Sequence, residues 1–240
     1  MNKFYDLRDY LFLFDIDGTI LDTKGDGKRA VLEVIGEVLG INPSYETNFA
    51  GGVDLNFFTD FFNLANIDKG KFNEKWEVFK NKYIRLLESF AKKNEWFIYP
   101  NVYDSIEYLS KRANIGLATG NLRDAAFIKL KKFNLDIYFN CGGFGDTVLK
   151  RGALVANAIK AAESFYNRKF EKNKIILLGD TDKDVLSAQE NGIIPALIDY
   201  RRKYKDCVSD LGVNYYGRFE NISLLFSALK NNNSVFFDFS

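Results

Sequence analysis

Three short apolar runs, each broken off by a polar cluster, constrain the architecture of this chain more than any other feature. Leu11-Phe12-Leu13-Phe14 stops at Asp15-Ile16-Asp17-Gly18-Thr19, and Ile115-Gly116-Leu117-Ala118 stops at Thr119-Gly120-Asn121. Ile175-Ile176-Leu177-Leu178 stops at Gly179-Asp180-Thr181. A strand with one wet face alternates apolar and polar residues, so runs without alternation predict strands buried on both faces. Ile193 to Ile198 reads as a fourth, weakened at its start by Pro195. Between the runs, apolar residues recur at helical spacing. Val102, Ile106 and Leu109 share a face; so do Ala126, Leu130 and Phe133, and again Leu154, Ala158, Ala161, Ala162 and Phe165. Val185 and Ala188 mark a shorter helix stopped by Asn191-Gly192. Strands and helices in alternation predict an α/β fold, a parallel sheet with helices on both faces. Right-handed crossovers then bring the carboxyl ends of the strands to one edge.

One stretch interrupts the alternation. From Asp22 to about Trp96 the pattern is helical, with no convincing strand. Ala30, Val31, Val34, Ile35 and Val38 form one stripe, and Phe72, Trp76, Phe79, Tyr83, Leu86 and Phe90 form another. Leu55 to Leu64 is a third candidate helix. Such an insertion after the first strand predicts an all-helical cap domain over the sheet edge, mobile and able to exclude water. Two hundred and forty residues suit a core carrying a smaller inserted unit.

The chain has no histidine, which removes Ser-His-Asp and Cys-His nucleophile systems, histidine bases and imidazole metal sites. Cys141 and Cys207 are far apart and predict reduced thiols rather than a metal site. Carboxylates, Lys, Arg, hydroxyls and hard cations remain for chemistry. Lys+Arg 33 against Asp+Glu 32 gives a net charge of +1, so no basic field points to nucleic acid or an anionic membrane. The apolar runs are too short for a leader or a membrane span, and a cytoplasmic protein is expected.

Asp15 and Asp17 follow one strand, Asp180 and Asp184 another. If both strands are central, four carboxylates meet at one edge, where they need a cation or raised pKa values. An oxygen-only cluster suits Mg²⁺. A lone Asp-Gly reads as a turn, but two acidic pairs plus Thr119-Gly120-Asn121, all after strands, read as a site.

These motifs resemble those of the haloacid dehalogenase superfamily of phosphohydrolases. Asp15-Ile16-Asp17-Gly18-Thr19 is similar to its first motif, Thr119 to its second, and Gly179-Asp180-Thr181-Asp182-Lys183-Asp184-Val185 to its fourth. Gly116 to Leu122 and Gly142 to Asp146 resemble the phosphoglycolate-phosphatase-like branch. The resemblance implies a Rossmann-like catalytic core of residues 1–21 and 97–240, with a helical cap of residues 22–96. It implies that Asp15 is the nucleophile and Asp17 the general acid and base. Asp15, the backbone carbonyl of Asp17, and Asp180 would hold Mg²⁺, with Asp184 in or near that set. Thr119, Gly120 and Asn121 would bind the phosphate of a small phosphorylated metabolite, and Thr19 would fix its loop.

The third motif needs a cation, and Lys150 and Arg151 compete for it; the register favours Arg151. Asp54, in Gly51-Gly52-Val53-Asp54, reads equally as a residue facing substrate and as a helix N-cap. Arg123 reads as a helix-start charge. The expected activity is Mg²⁺-dependent hydrolysis of a phosphomonoester, of the phosphoglycolate or sugar phosphate type, through an aspartyl-phosphate. The alternatives are a phosphoglucomutase-type phosphotransferase and a catalytically silent binding module. A dehalogenase is disfavoured because it needs neither Asp17 nor the Asp180–Asp184 pair. Oligomeric state is left open.

Overall fold

The computed structural model describes residues 6–44, 51–231 and 235–236. In chain order the elements are β1 (Leu11–Phe14), β2 (Leu21–Asp22), α1 (Asp26–Leu39), α2 (Asp54–Leu64), α3 (Phe72–Lys93), β3 (Phe97–Ile98) and α4 (Val102–Ser110). There follow β4 (Asn114–Ala118), α5 (Arg123–Lys131), β5 (Gly142–Gly143), α6 (Arg151–Phe165), β6 (Ile175–Gly179) and α7 (Asp182–Asn191). The chain continues with β7 (Ile194–Ile198), β8 (Tyr215–Gly217), α8 (Ile222–Asn231) and β9 (Val235–Phe236). The main sheet has seven strands in the order β5-β4-β1-β6-β7-β8-β9, every neighbouring pair parallel.

Burial on both faces explains the unbroken apolar runs. Successive side chains of a strand point to opposite faces. Phe12 and Phe14 therefore enter one cluster with Ile115, Leu117, Ile176 and Leu178, under Ile106, Leu109 and Leu130 of α4 and α5. Leu11 and Leu13 enter the other with Leu177, under Leu154, Ala158 and Ala162 of α6. The expected α/β core is borne out, and it extends further than expected. β5 was not anticipated because two glycines carry no strand signal. They serve close packing instead: a Cβ on Gly143 would stand 2.3 Å from the Leu154 carbonyl oxygen of α6. β7 runs inside the sheet despite Pro195, whose carbonyl accepts the Asn214 N–H at 3.1 Å.

The segment between β2 and β3 contributes nothing to the main sheet among its described residues. α1, α2 and α3 share a core of their own, built on Phe58, Trp76, Phe79 and Tyr83. Trp76 stacks on Phe79 and Phe79 on Tyr83, at 5.5 and 5.6 Å between ring centres. Leu122 and Ala125, from the start of α5, join this cluster, so the helices sit against the core. The chain enters and leaves them through a two-stranded antiparallel ribbon in which Leu21 faces Ile98 and Asp22 faces Phe97. This ribbon was not legible as strand. Tyr200 stacks on Tyr99 beside it at 4.1 Å, and Arg201 pairs with Asp22 at 2.6 Å. Among the described residues, no helix is long and apolar enough to cross a membrane.

Candidate active site

Sheet order places the site. From β1 the chain crosses to β4 and β5 on one side, then returns to β6 and later strands on the other. A crevice opens where the order reverses, outside the carboxyl ends of the strands. Phe14 lies opposite Leu117 and Leu178, so Asp15, Thr119 and Asp180 leave the sheet side by side. A cavity of about 520 Å³ opens there, lined by Asp15, Asp17 and Asp180 on one side and by Val31 of α1, Phe57 of α2 and Tyr83 of α3 on the other.

Asp15 is anchored by its N–H, which donates to the Leu178 carbonyl at 2.9 Å. The loop behind it turns on Gly18, at φ +86°. A Cβ on Gly18 would lie 2.1 Å from Oδ2 of Asp180, so only glycine lets that carboxylate cross the loop. Thr19 does not fix the loop through its side chain: its buried hydroxyl has no partner among the described residues. Backbone bonds do so instead, from Gly18 N–H to Leu21 and from Ile20 N–H to Ile16.

Carboxylate oxygens of Asp15, Asp180 and Asp184 lie within 4.8 Å of one another. Arg151, the first residue of α6, crosses between them. Its Nη2 is 3.1 Å from Asp15, its Nε donates to Asp184 at 2.8 Å, and its Nη1 reaches the Gly52 carbonyl at 3.4 Å. Lys150 is exposed. Asp184 is fully occupied: one oxygen takes Arg151, and the other takes the N–H and hydroxyl of Thr181, closing a capping box on α7. No hydrogen bond or ion pair reaches the Asp180 carboxylate among the described residues. Burial, then Asp184 and Asp17, pushes the Asp15 carboxyl up to about 6 against the pull of Arg151. Burial, then Asp15 and Asp184, raises Asp180 well above the carboxylate range. Crowded acidic oxygens with one guanidinium among them fit a hard divalent cation such as Mg²⁺.

Asp17 stands apart from this cluster. Its Oδ2 accepts from Asn121 Nδ2 at 2.8 Å and from Lys129 Nζ at 2.6 Å. The Asn121 amide also donates to the Thr119 hydroxyl at 2.8 Å, and its oxygen accepts from Lys129 at 2.6 Å. Sequence reasoning missed Lys129. A lysine in a helix normally reads as solvated, yet this one is 2% exposed. Arg123 lies over the rings of Phe127 and Phe144, as a helix-start charge can.

Asp54 does not cap α2; Val53 holds that position, without a side-chain bond. The buried Asp54 carboxylate accepts the Leu122 N–H of the core at 2.8 Å. Asp54 and Leu55 donate their own N–H groups to the carbonyls of Gly120 and Gly145, at 2.8 and 3.0 Å. Two orphan donors of a helix start are thus satisfied across the junction. The approach is close: a Cβ on Gly120 would stand 1.8 Å from the Gly52 carbonyl oxygen.

Burial pushes the Asp54 carboxyl up to about 7, although the Leu122 N–H and Lys129 favour its anion. A carboxyl raised on folding binds its proton more tightly in the folded chain. Its stabilisation is therefore complete at acid pH and is lost as pH rises from about 4 through about 7. Asp54→Asn keeps the acceptor for Leu122 and removes the buried charge. Its stability relative to the parent is expected to be greater at pH 8 than at pH 5, by on the order of 2–4 kcal/mol. Urea unfolding of both proteins at the two pH values checks this; a pH-independent difference rejects it.

Residues 12–198 match the family model for haloacid dehalogenase-like hydrolases, and the chain belongs to that family. The resemblance read from the motifs is borne out. A phosphoglycolate phosphatase of Aquifex aeolicus is 28% identical over 193 residues, covering 78% of this chain and 83% of its own length. In fold, the chain is similar to a phosphatase of this family from Thermococcus onnurineus (20% identity, TM-score 0.60, 94% of this chain and 100% of that one). It is also similar to a candidate β-phosphoglucomutase from Thermotoga maritima (17% identity, TM-score 0.57, 92% and 99%). The chain is a hydrolase of the haloacid dehalogenase-like family.

Proposed function

We propose that the chain hydrolyses a small phosphomonoester, of the phosphoglycolate or sugar phosphate type, through an aspartyl-phosphate on Asp15. One observation carries this reading: Asp15 lies at the switch point, on the cavity, between the Arg151 fork and the Asp180 carboxylate. The Asp15 carboxylate attacks phosphorus as the bond to the ester oxygen breaks, and Asp17 gives the departing alkoxide its proton. Asp17 then takes a proton from water, which attacks the acyl phosphate, releases inorganic phosphate and frees Asp15. Arg151 neutralises the phosphoryl oxygens, and Gly120 and Asn121 offer backbone N–H groups beside them. Thr119, whose buried hydroxyl accepts from the Asn121 amide, would supply a further donor to the phosphoryl group. Residues 22–96 act as a cap that closes over the cavity and keeps bulk water out.

Asp15, Asp180 and the Asp17 carbonyl would hold Mg²⁺, with Asp184 outside them holding Arg151. When bound, the ion would neutralise phosphate charge and orient the ester. The free thiols of Cys141 and Cys207 are consistent with a cytoplasmic setting. Phosphate release from a panel of phosphorylated metabolites, with and without Mg²⁺, tests the whole reading. Chelation is expected to lower turnover at least about 10²-fold, with Mg²⁺ restoring it and Ca²⁺ doing so poorly. Full activity after exhaustive chelation rejects the metal's part. Phosphate passed to a second sugar rather than to water would favour the phosphotransferase.

A further inference from the structure

Lys129 is the least expected residue in the molecule. It belongs to the buried stripe of α5 with Ala125, Ala126 and Leu130. A buried ammonium is expensive unless paired, and replacing such a pair with apolar residues is often neutral or stabilising. Packing alone therefore gives no reason for a lysine here. The cap helices are fitted to it: a Cβ on Gly27 of α1 would stand 3.2 Å from the ammonium nitrogen. With α1 in place the charge is sealed from water against Asp17 and Asn121.

The bonds define what the ammonium does. Lys129 and Asn121 both donate to Oδ2 of Asp17, and no described residue bonds to Oδ1. The Asp17 side chain remains 41% exposed on the cavity. Two residues along, Asp15 shares its surroundings with Asp180 and Asp184, while the Asp17 carboxylate lies outside that group. We propose that Lys129 is a positioning residue: by pinning Oδ2 it holds Asp17 away from the Asp15–Asp180–Asp184 cluster and leaves Oδ1 to exchange a proton with the ester oxygen. This rests on the hydrolytic reading above and adds a residue to it. The proton leaves Oδ1 as the phosphorus–oxygen bond breaks, so the product is the neutral alcohol and Asp17 becomes the anion held by Lys129.

The test exploits the leaving group. Departure of an alkoxide needs the proton, whereas p-nitrophenolate leaves without one. The readout is kcat/KM, which covers events up to ester cleavage and not the later hydrolysis of the acyl phosphate. Lys129→Met, of similar length and uncharged, is expected to lose about 10²-fold on the best alkyl phosphomonoester of the panel. On p-nitrophenyl phosphate it is expected to lose less than about tenfold, because general acid catalysis contributes little there. Equal losses on both esters, or none on either, overturn the proposal. Lys129→Gln provides the same comparison if the methionine variant does not fold. A second readout needs no turnover: in a crystal structure of either variant, the Asp17 carboxylate is expected to leave Asn121. Finding it unmoved rejects the positioning role. If the parent cleaves no ester at all, the hydrolytic reading fails instead, and the crystal structure still decides what Lys129 holds.

Discussion

Asp15→Asn is expected to reduce phosphate release at least about 10⁴-fold, to the background of the assay, on every phosphomonoester the parent accepts. The amide is isosteric with the carboxylate but cannot attack phosphorus, so the loss falls on chemistry and not on shape. The anchor of the residue is its backbone N–H on Leu178, which the substitution leaves in place. The flanking strand, with Phe14 wholly buried, is equally untouched. Far-ultraviolet circular dichroism and a melting curve close to the parent's are therefore expected beside the lost turnover. An Asp15→Asn variant that folds and still releases phosphate at more than a few per cent of the parental rate removes Asp15 from the nucleophile's role.

Arg151→Ala is expected to lower kcat by roughly 10²–10³, the usual cost of removing one fixed donor from a developing anion. The effect is not confined to catalysis. Arg151 is the guanidinium that bridges the buried Asp15 and Asp184, and its removal leaves both carboxylates without it. Breaking a buried ion pair by deleting one partner typically costs about 3–5 kcal/mol, so the ion-free variant should also unfold at lower urea. Arg151→Lys keeps the charge but loses the planar fork, which touches Asp15, Asp184 and Gly52 at once, and should recover only part of either loss. Lys150→Ala, one residue away and exposed, should match the parent in both measurements. A crippled Lys150→Ala with a healthy Arg151→Ala would pass the third-motif role to its neighbour.

The residues read first from the sequence are those joined covalently to an apolar strand. Asp15, Thr119 and Asp180 were legible because each follows directly on a run that had to be buried, and parallel topology then fixes where such ends meet. Arg151 was legible only as one of two adjacent cations. The choice depends on which side of the first turn of α6 faces β6 and α7, and the turn puts Arg151 inward. Asp54 was evenly divided between two readings: it lines the cavity and does not cap α2, and its carboxylate also accepts a core N–H. Short elements without periodicity escaped: the β2–β3 ribbon, the two-glycine strand β5, and β8.

What the sequence determined by itself is the chemistry available and the frame that carries it. The absence of histidine restricted the site to oxygen and cationic groups, and unalternated apolar runs required a sheet covered on both faces. What only the tertiary structure decided is how the carboxylates divide their work. Asp15 and Asp17 are two residues apart in the same acidic motif, yet one shares a crowded cluster with Asp180 and Asp184 while the other bonds to Asn121 and Lys129. That division depends on a side chain 112 positions further along the chain, brought beneath α1 by helix packing. Local sequence fixes backbone direction and burial pattern, which act over a few residues. Electrostatic pairing in a buried site acts through space, and its partners are set by which helices meet.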